Sequence, residues 1–265
     1  MVSSSGTSGS GVGASTGPLG RPTAALGASL LLLLLLVGDL VYVAVHLVAT
    51  NTNLLRSPLA ALDVDRGYAE FFQYLKLLWT CLLLTGLALR SRRWGYLAWV
   101  GLFGYLLVDD SFTLHENIGV VLADRLALPD AMGLRSIDFG ELLVSAAAGV
   151  VLAAGIGWAY LRGSDELRRS SRHLLLLLLA LVFFGVVVDM VHIAVAATGW
   201  VDNAFVILED GGELVVTSFI TWYAYLLMVI GDEGQGESLA SLVGAAFADV
   251  ADQRGDIGRR GFRVR

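Results

Sequence analysis

Four ionisable side chains interrupt the apolar stretch LVDDSFTLHENIG at positions 107–119: Asp109, Asp110, His115 and Glu116. Imidazole and carboxylate groups together are the ligands of Zn²⁺, Fe²⁺ or Mn²⁺, and each can also serve as a general acid or base. Such groups are costly inside an apolar segment and often mark a site of function there. This stretch is therefore the first candidate for a functional site.

The same residue types recur in two other apolar segments. In each of them an aspartate precedes a histidine, namely Asp39 before His46 and Asp189 before His192. Both segments are followed by an apolar stretch that carries a glutamate near its start. The recurrence suggests that one structural unit is repeated three times.

The glutamate-containing stretches also resemble one another. Asp138-Phe-Gly-Glu141-Leu-Leu-Val-Ser145 and Asp210-Gly-Gly-Glu213-Leu-Val-Val-Thr217 are identical at five of eight positions, and Gly67-Tyr-Ala-Glu70 is a weaker match. Phe103-Gly104 precedes Asp109, and Phe184-Gly185 precedes Asp189. We predict three pseudo-repeated helical hairpins that place these groups in one half of a bilayer. The predicted metal ligands are His46, His115, His192, Asp39, Asp109, Asp189, Glu70, Glu141 and Glu213.

Charge counting supports a bound cation. The apolar segments hold eleven of the 24 acidic residues but only one lysine, Lys76, and no arginine apart from Arg90 at the very end of the second segment. Such an excess requires protonation, water with salt, or bound cations, and the three histidines favour the last. The eleven acids are Asp39, Glu70, Asp109, Asp110, Glu116, Asp138, Glu141, Asp189, Glu209, Asp210 and Glu213. Whether Asp110, Asp138, Glu209 and Asp210 face the site is left open.

The elements that must position these groups are long apolar helices. The chain is 56% hydrophobic with a mean hydropathy of +0.70, too apolar for an ordinary soluble domain. About 20 apolar residues cross a bilayer as a helix. The fold class is therefore an all-α polytopic membrane protein with six transmembrane helices. The predicted segments are 24–49, 68–90, 94–120, 137–161, 174–197 and 204–231.

Both ends of the chain are polar. Residues 1–23 are rich in serine and glycine and predict a disordered cytoplasmic tail. Residues 232–265 predict a second cytoplasmic tail, with a short amphipathic helix or a frayed solvent-exposed segment as alternatives. The transmembrane domain is then 24–231. The single cysteine, Cys81, excludes a disulfide within the chain.

Arginines set the expected orientation in a plasma membrane, with both termini cytoplasmic. Two short loops carry seven of them and the opposite loops carry four. The charge of −6 gives no indication of a nucleic-acid partner. The seven are Arg90, Arg92, Arg93, Arg162, Arg168, Arg169 and Arg172, and the four are Arg56, Arg66, Arg125 and Arg135.

Several functions suit this pattern. The first is a membrane-embedded, metal-dependent hydrolase or oxidoreductase on a lipid or other lipophilic substrate, with Glu116 or Glu213 as general base. A proton- or divalent-cation-coupled transporter is the alternative, although the cytoplasmic half of the helices reads as almost wholly apolar. A non-catalytic metal or pH sensor, or an assembly factor with unknown protein partners, is a third interpretation. Glycines and alanines in the third and fourth segments predict close helix packing.

Overall fold

The computed structural model describes residues 20–55, 57–195, 198–230 and 241–248. Within these residues the secondary structure is helical, and no strand is present. The predicted tail 1–23 lies outside the described residues except for its last four positions, which begin the first helix. Of the predicted tail 232–265, only 241–248 is described.

Eight α-helices form the bundle. A 3₁₀ turn, Pro58–Ala60, precedes the second helix, and a π-helical segment, Phe183–Val188, joins the sixth helix to the seventh without a break. The helices are α1 Gly20–Asn51, α2 Tyr68–Ser91, α3 Tyr96–Phe112, α4 Leu114–Leu126, α5 Ser136–Arg162, α6 Asp165–Val182, α7 Asp189–Val195 and α8 Trp200–Ile230.

Among the described residues, five helical stretches are long and apolar enough to cross a membrane, and a sixth is obtained if α3 and α4 count as one broken span. The five begin at residues 26, 68, 136, 165 and 200. The all-helical prediction is confirmed, and the apolar helices have the composition of a membrane protein.

The third predicted segment, 94–120, is wrong as a continuous helix. Its axis bends by 73° between α3 and α4, at Thr113, whose φ of 48° lies in the left-handed region. Side chains stabilise the break: the Asp109 carboxylate accepts a hydrogen bond from the His115 backbone N–H at 2.9 Å, and the Asn117 amide donates to the Thr113 carbonyl at 2.7 Å. The polar residues of LVDDSFTLHENIG therefore cap a helix break as well as offering chemistry.

The long helix α8 is the most buried span and lies at the centre of the bundle, against α1, α2, α6 and the π segment. The main hydrophobic core includes Trp99 of α3, Leu174 of α6, and Trp222 and Tyr223 of α8. In contrast, α5 packs closely against α4 but touches α3 and α6 much less, and most of its surface is exposed. The weak contacts of α5 leave room for a cavity inside the bundle.

The small residues of α3 and α5 do not serve the close packing that the sequence predicted. A Cβ atom added at Gly101, Gly104, Gly149, Gly155 or Gly157 would meet no atom within 4 Å. A close approach does occur at the start of α5, at a glycine outside this set, where a Cβ at Gly140 would collide with the Gly119 carbonyl oxygen of α4. The prediction was wrong because small residues are compatible with open space as well as with tight contact.

Residues 241–248, after the last span, are helical. Ala246 is buried in the main core, and Leu242 and Val243 pack against that core. The apolar residues predicted for an amphipathic helix thus contact the bundle itself.

Candidate functional site

A cavity of about 790 Å³ lies between α2, α3, α5, α6 and α8. This volume is in the range of sites that hold a small organic molecule. Its middle is lined by aliphatic side chains, among them Leu102, Leu106, Leu152, Ile156 and Leu178. The cavity therefore suits an apolar body.

The two ends of the cavity differ in charge. One end, here called the acidic end, is lined by Gln73, Asp109, Asp110, His115 and Glu213. Three of the nine predicted metal ligands, Asp109, His115 and Glu213, are among these residues. Its polar groups come from α2, from the break between α3 and α4, and from α8.

The opposite end is lined by Trp99, Tyr160, Ser171 and Arg172 and is here called the arginine end. Residues 172 and 185, both in the cavity wall, are separated by thirteen positions of one helical stretch. At 1.5 Å per residue this gives a length of about 20 Å, roughly two-thirds of the ~30 Å hydrocarbon core of a bilayer. The cavity is thus long enough for an extended hydrocarbon chain.

His115 and Asp109 form a hydrogen-bonded pair in the cavity wall. The His115 Nδ1 atom lies 3.0 Å from Asp109 Oδ2, while Asp109 Oδ1 accepts from the His115 backbone N–H. Asp109 is buried and the His115 side chain is 30% exposed. Since the carboxylate holds the proton on Nδ1, Nε2 presents a lone pair. Within the described residues Nε2 makes no hydrogen bond.

Glu213 lies at the acidic end on α8. Its Oε2 atom accepts a hydrogen bond of 2.9 Å from the Gln73 side-chain amide. Its Oε1 atom faces Gly185 in the π segment so closely that a methyl group there would overlap it. The π segment and its glycine thus make room for the Glu213 carboxylate, as such segments often do at functional sites.

Asp110 adds a further acid to this end. Its carboxylate lies in the cavity wall within electrostatic range of Glu213, Asp109 and Glu70. Its backbone carbonyl accepts a hydrogen bond of 3.0 Å from the Tyr74 hydroxyl. Within the described residues no hydrogen bond reaches its carboxylate. The sequence left open whether Asp110 faces the site, and in the structure Asp110 is one of the residues that line the cavity.

Asp39 is paired with Lys76 and not with a histidine. Lys76 Nζ lies 2.8 Å from Asp39 Oδ1 and also donates to the Leu214 carbonyl at 2.7 Å and to Ser218 Oγ at 3.2 Å. The Ser218 hydroxyl donates to Asp39 Oδ2 at 2.6 Å. Both carboxylate oxygens are therefore engaged inside the core, away from the cavity wall.

Asp138 also has a cationic partner. Arg135, just before α5, donates to Asp138 Oδ1 at 2.6 Å through its guanidinium and to Oδ2 at 2.7 Å through its backbone N–H. Asp138 is fully buried and Arg135 is 68% exposed. The charge count from the sequence missed this pair because Arg135 lies outside the predicted segment.

The other two predicted histidines lie in separate surroundings. His46 is buried, and its Nδ1 accepts a hydrogen bond of 3.0 Å from the Leu62 backbone N–H. His192 contacts Glu209 through Nδ1 and Asp202 through Nε2, each at 3.0 Å. Neither lines the cavity. In the part of the chain that the structure describes, no group of three or more His, Cys, Asp or Glu side chains is arranged to hold a metal ion.

The remaining predicted acids surround the cavity end without lining it. Glu70 accepts a hydrogen bond from the Arg66 backbone N–H at the start of α2. Glu116 and Glu141 are within electrostatic range of His115. Asp189 and Asp210 are within electrostatic range of Glu209. Of the two predicted catalytic glutamates, Glu213 lines the cavity and Glu116 does not.

Polar side chains at the arginine end were missed by sequence reasoning. His173 Nδ1 lies 2.8 Å from the Tyr223 hydroxyl, Tyr96 and Ser170 hydroxyls are 3.2 Å apart, and Trp99 Nε1 donates to Ser171 at 3.0 Å. The expectation that this half is almost wholly apolar is therefore wrong. The serines and tyrosines were the available signal, but Ser170 and Ser171 lie in the polar run DELRRSSRH, which was interpreted as loop, and Tyr96 and Tyr223 each stand among apolar residues.

The two closely matched stretches make similar contacts. Gly140 packs against the Gly119 carbonyl of the preceding arm, and Gly212 packs against the Phe184 ring of the preceding arm. The two Phe-Gly pairs, Phe103-Gly104 and Phe184-Gly185, are in different surroundings, because Gly185 faces Glu213 whereas Gly104 faces open space. The triple repeat stays a prediction.

Comparison with known proteins adds a family. No curated protein and no solved structure matches the chain. A family described as a domain of unknown function, DUF8692, matches residues 26–229, a range that contains the bundle from α1 to α8 without the ends of the chain. Since this match covers most of the sequence, the chain belongs to the DUF8692 family.

Proposed function

We propose that this protein is a membrane-embedded enzyme that holds a lipophilic molecule in the cavity and acts on its polar group at the acidic end. One observation carries the proposal: an aliphatic cavity about 20 Å long ends at a His–Asp pair and two further carboxylates. Apolar pockets that converge on a few ionisable groups are typical of active sites.

His115 is the proposed general base. Asp109 orients the imidazole and stabilises its protonated form, as the carboxylate does in a hydrolytic triad. His115 Nε2 removes a proton from a water molecule that attacks the substrate, and the imidazolium so formed then donates that proton to the leaving group, while Glu213 stays a carboxylate that faces the substrate. This arrangement supports hydrolysis more directly than oxidation, which stays the alternative reaction class.

The divalent metal predicted from the sequence, Zn, Fe or Mn, stays a prediction. The described residues hold no three-ligand group, and His46 and His192 lie apart from His115. No step of the proposed reaction uses a metal.

The test uses full-length protein in nanodiscs with a panel of long-chain esters, amides and phosphoesters, and products are measured by mass spectrometry. We expect wild type to hydrolyse at least one class and His115→Ala to lose about 10²- to 10⁴-fold in rate. His173→Ala is the matched control, since this histidine lies outside the cavity wall. Equal rates for His115→Ala and wild type, or no hydrolysis by wild type, would contradict the proposal. A metal added after chelation tests the predicted cofactor.

Cation transport is the second candidate, and one observation favours it. A buried column of polar contacts runs along α2 and α8 from the Gln73–Glu213 contact to the Lys76 network and on to Thr80 and Thr221, whose hydroxyls are 3.1 Å apart. Linked polar groups of this kind serve proton relays in membranes. Proton or divalent-cation flux into liposomes, lost in Glu213→Gln, would support transport and not hydrolysis.

The orientation is part of the proposal. Seven arginines near the arginine end support a cytoplasmic location for that end, with the acidic end outside and both termini inside a plasma membrane. We also propose that the chain has six spans that form three pseudo-repeated hairpins. The sensor or assembly-factor role is likewise a proposal. Cysteine accessibility at residue 130, between α4 and α5, tests the orientation in intact cells.

A further inference from the structure

We infer that the cavity binds an amphiphile with a positively charged head group, an organic ammonium, and a single long hydrocarbon chain. The head lies at the acidic end and the chain fills the aliphatic middle. This inference rests on the proposed function, because it names the class of molecule on which the site would act.

The first step is the charge of the acidic end. Two of the cations close to these acids are already used: Lys76 by Asp39 and Arg135 by Asp138. Asp110 and Glu213 both line the cavity, and within the described residues one hydrogen bond reaches their carboxylates, from Gln73. The basic group within electrostatic range of Asp110 is His115, whose imidazole is already hydrogen-bonded to Asp109. Carboxylates in an apolar surrounding need a positive partner or a proton.

The second step is the shape of the space next to these carboxylates. A small inorganic ion would need several ligands around it, and the described residues provide no such group. The cavity instead continues from the carboxylates into about 20 Å of aliphatic wall. A cation that carries its own apolar chain matches both features, because the chain leaves water when it enters the cavity.

The third step is the direction of binding. Arg172 lies in the cavity wall at the arginine end and is exposed. An ammonium group is repelled there and attracted at the acidic end. An anionic head would have the reverse preference, but an exposed charge such as Arg172 attracts an anion only weakly. Charge complementarity therefore favours the cation.

The test measures binding to full-length protein in phosphatidylcholine nanodiscs, with empty nanodiscs as background. Three probes share a tetradecyl chain and differ in the head: trimethylammonium, sulfate and alcohol. Tetramethylammonium serves as the chainless cation. We expect the trimethylammonium probe to bind at least tenfold more tightly than each of the other two long-chain probes and at least a hundredfold more tightly than tetramethylammonium.

Variants connect this selectivity to the site. Asp110→Asn with Glu213→Gln is expected to weaken binding of the cationic probe at least tenfold and to leave the alcohol unchanged. Glu166→Gln is the matched control, because this acid lies outside the cavity wall. Leu178→Trp, which fills the aliphatic part, is expected to reduce binding of every long-chain probe. If the double variant does not fold, the inference is tested by the preference of the wild-type protein among the three head groups.

Equal binding of the three long-chain probes, or unchanged cation affinity in the folded double variant, would overturn the inference. Failure of the proposed function looks different. Selective binding of the cationic probe without hydrolysis of any substrate refutes the enzyme and leaves this inference. Hydrolysis that depends on His115 but shows no preference for a cationic head refutes this inference and leaves the enzyme.

Discussion

Replacing Lys76 by methionine is expected to destabilise the bundle strongly. Lys76 and Asp39 are 0% and 1% exposed, so the substitution leaves the Asp39 carboxylate buried without its cation. It also removes the donors to the Leu214 carbonyl and to Ser218. Methionine fills a similar apolar volume, which limits the loss of packing.

Breaking a buried ion pair by removing one partner costs about 3–5 kcal/mol. For a chain of this size, 1 kcal/mol shifts Tm by about 2–4 °C, so we expect Tm to fall by about 6–20 °C. The double variant Lys76→Met with Asp39→Asn removes both charges and is expected to recover much of the loss. Together with the Asp39→Asn single variant, these proteins form a double-mutant cycle that gives the coupling energy of the pair.

The assay is thermal unfolding in detergent, followed by circular dichroism, with equilibrium unfolding in a denaturing detergent as a second measurement. Asp165→Asn is the control, because its contact with Arg168 is at the surface, with the Asp165 side chain 89% exposed. That change is expected to cost less than about 1 kcal/mol. If Lys76→Met has the same Tm as wild type, or if the double variant is no more stable than Lys76→Met, the pair does not stabilise the core as argued.

Further predictions concern the bundle around the cavity. Gly140→Ala is expected to lower the free energy of unfolding by about 1–3 kcal/mol, because the methyl group would overlap the Gly119 backbone carbonyl, which cannot move aside as a flexible side chain can. Thermal melts should show this loss, and an unchanged melt would contradict the close contact. Gly155→Ala, which meets no atom within 4 Å, is expected to change that energy by less than about 1 kcal/mol in the same assay. Asp109→Ala removes the carboxylate that accepts a hydrogen bond from the His115 backbone N–H. We expect the free energy of unfolding to fall by about 0.5–2 kcal/mol and proteolysis at the α3–α4 break to become faster. An unchanged cleavage rate would argue against the capping role.

The helices themselves were predictable from hydropathy, but some of their ends were not. The fifth segment was predicted to begin at residue 174, whereas α6 begins at Asp165. Ser164 caps it by accepting from the Leu167 N–H at 3.4 Å. Serine followed by two acidic residues is a common helix start. The arginines that follow were interpreted as loop because they are not apolar.

The break at Thr113 illustrates a second limit of sequence reasoning. Asp109 and His115 were recognised as ionisable groups in an apolar stretch, and a catalytic or metal-binding role was expected. In the structure the same carboxylate caps α4 and orients the imidazole. One side chain can meet both demands, so the pattern of residue types did not reveal that the helix ends there.

Long-range partners and empty space were the least predictable features. Lys76 reaches Asp39 across 37 positions, and this contact follows from the packing of α1 against α2 and α8, not from local spacing. The cavity exists because α5 stays apart from α3 and α6 over most of its length. Glycines and alanines on α5 gave no indication of which side is open.

The distribution of charge connects these observations. The sequence set one lysine against eleven acids, but Arg135 neutralises Asp138 from outside the span and Lys76 neutralises Asp39 within the core. His115 and His192 each lie 3.0 Å from a carboxylate oxygen, and each such pair can share one proton between the imidazole and the carboxylate. Among the described acids without a hydrogen-bonded cation or imidazole, Asp110 and Glu213 line the cavity, whereas Glu70, Glu116, Glu141, Asp189 and Asp210 do not. The charge of Asp110 and Glu213 is thus the part of the acidic excess that a molecule bound in the cavity can neutralise.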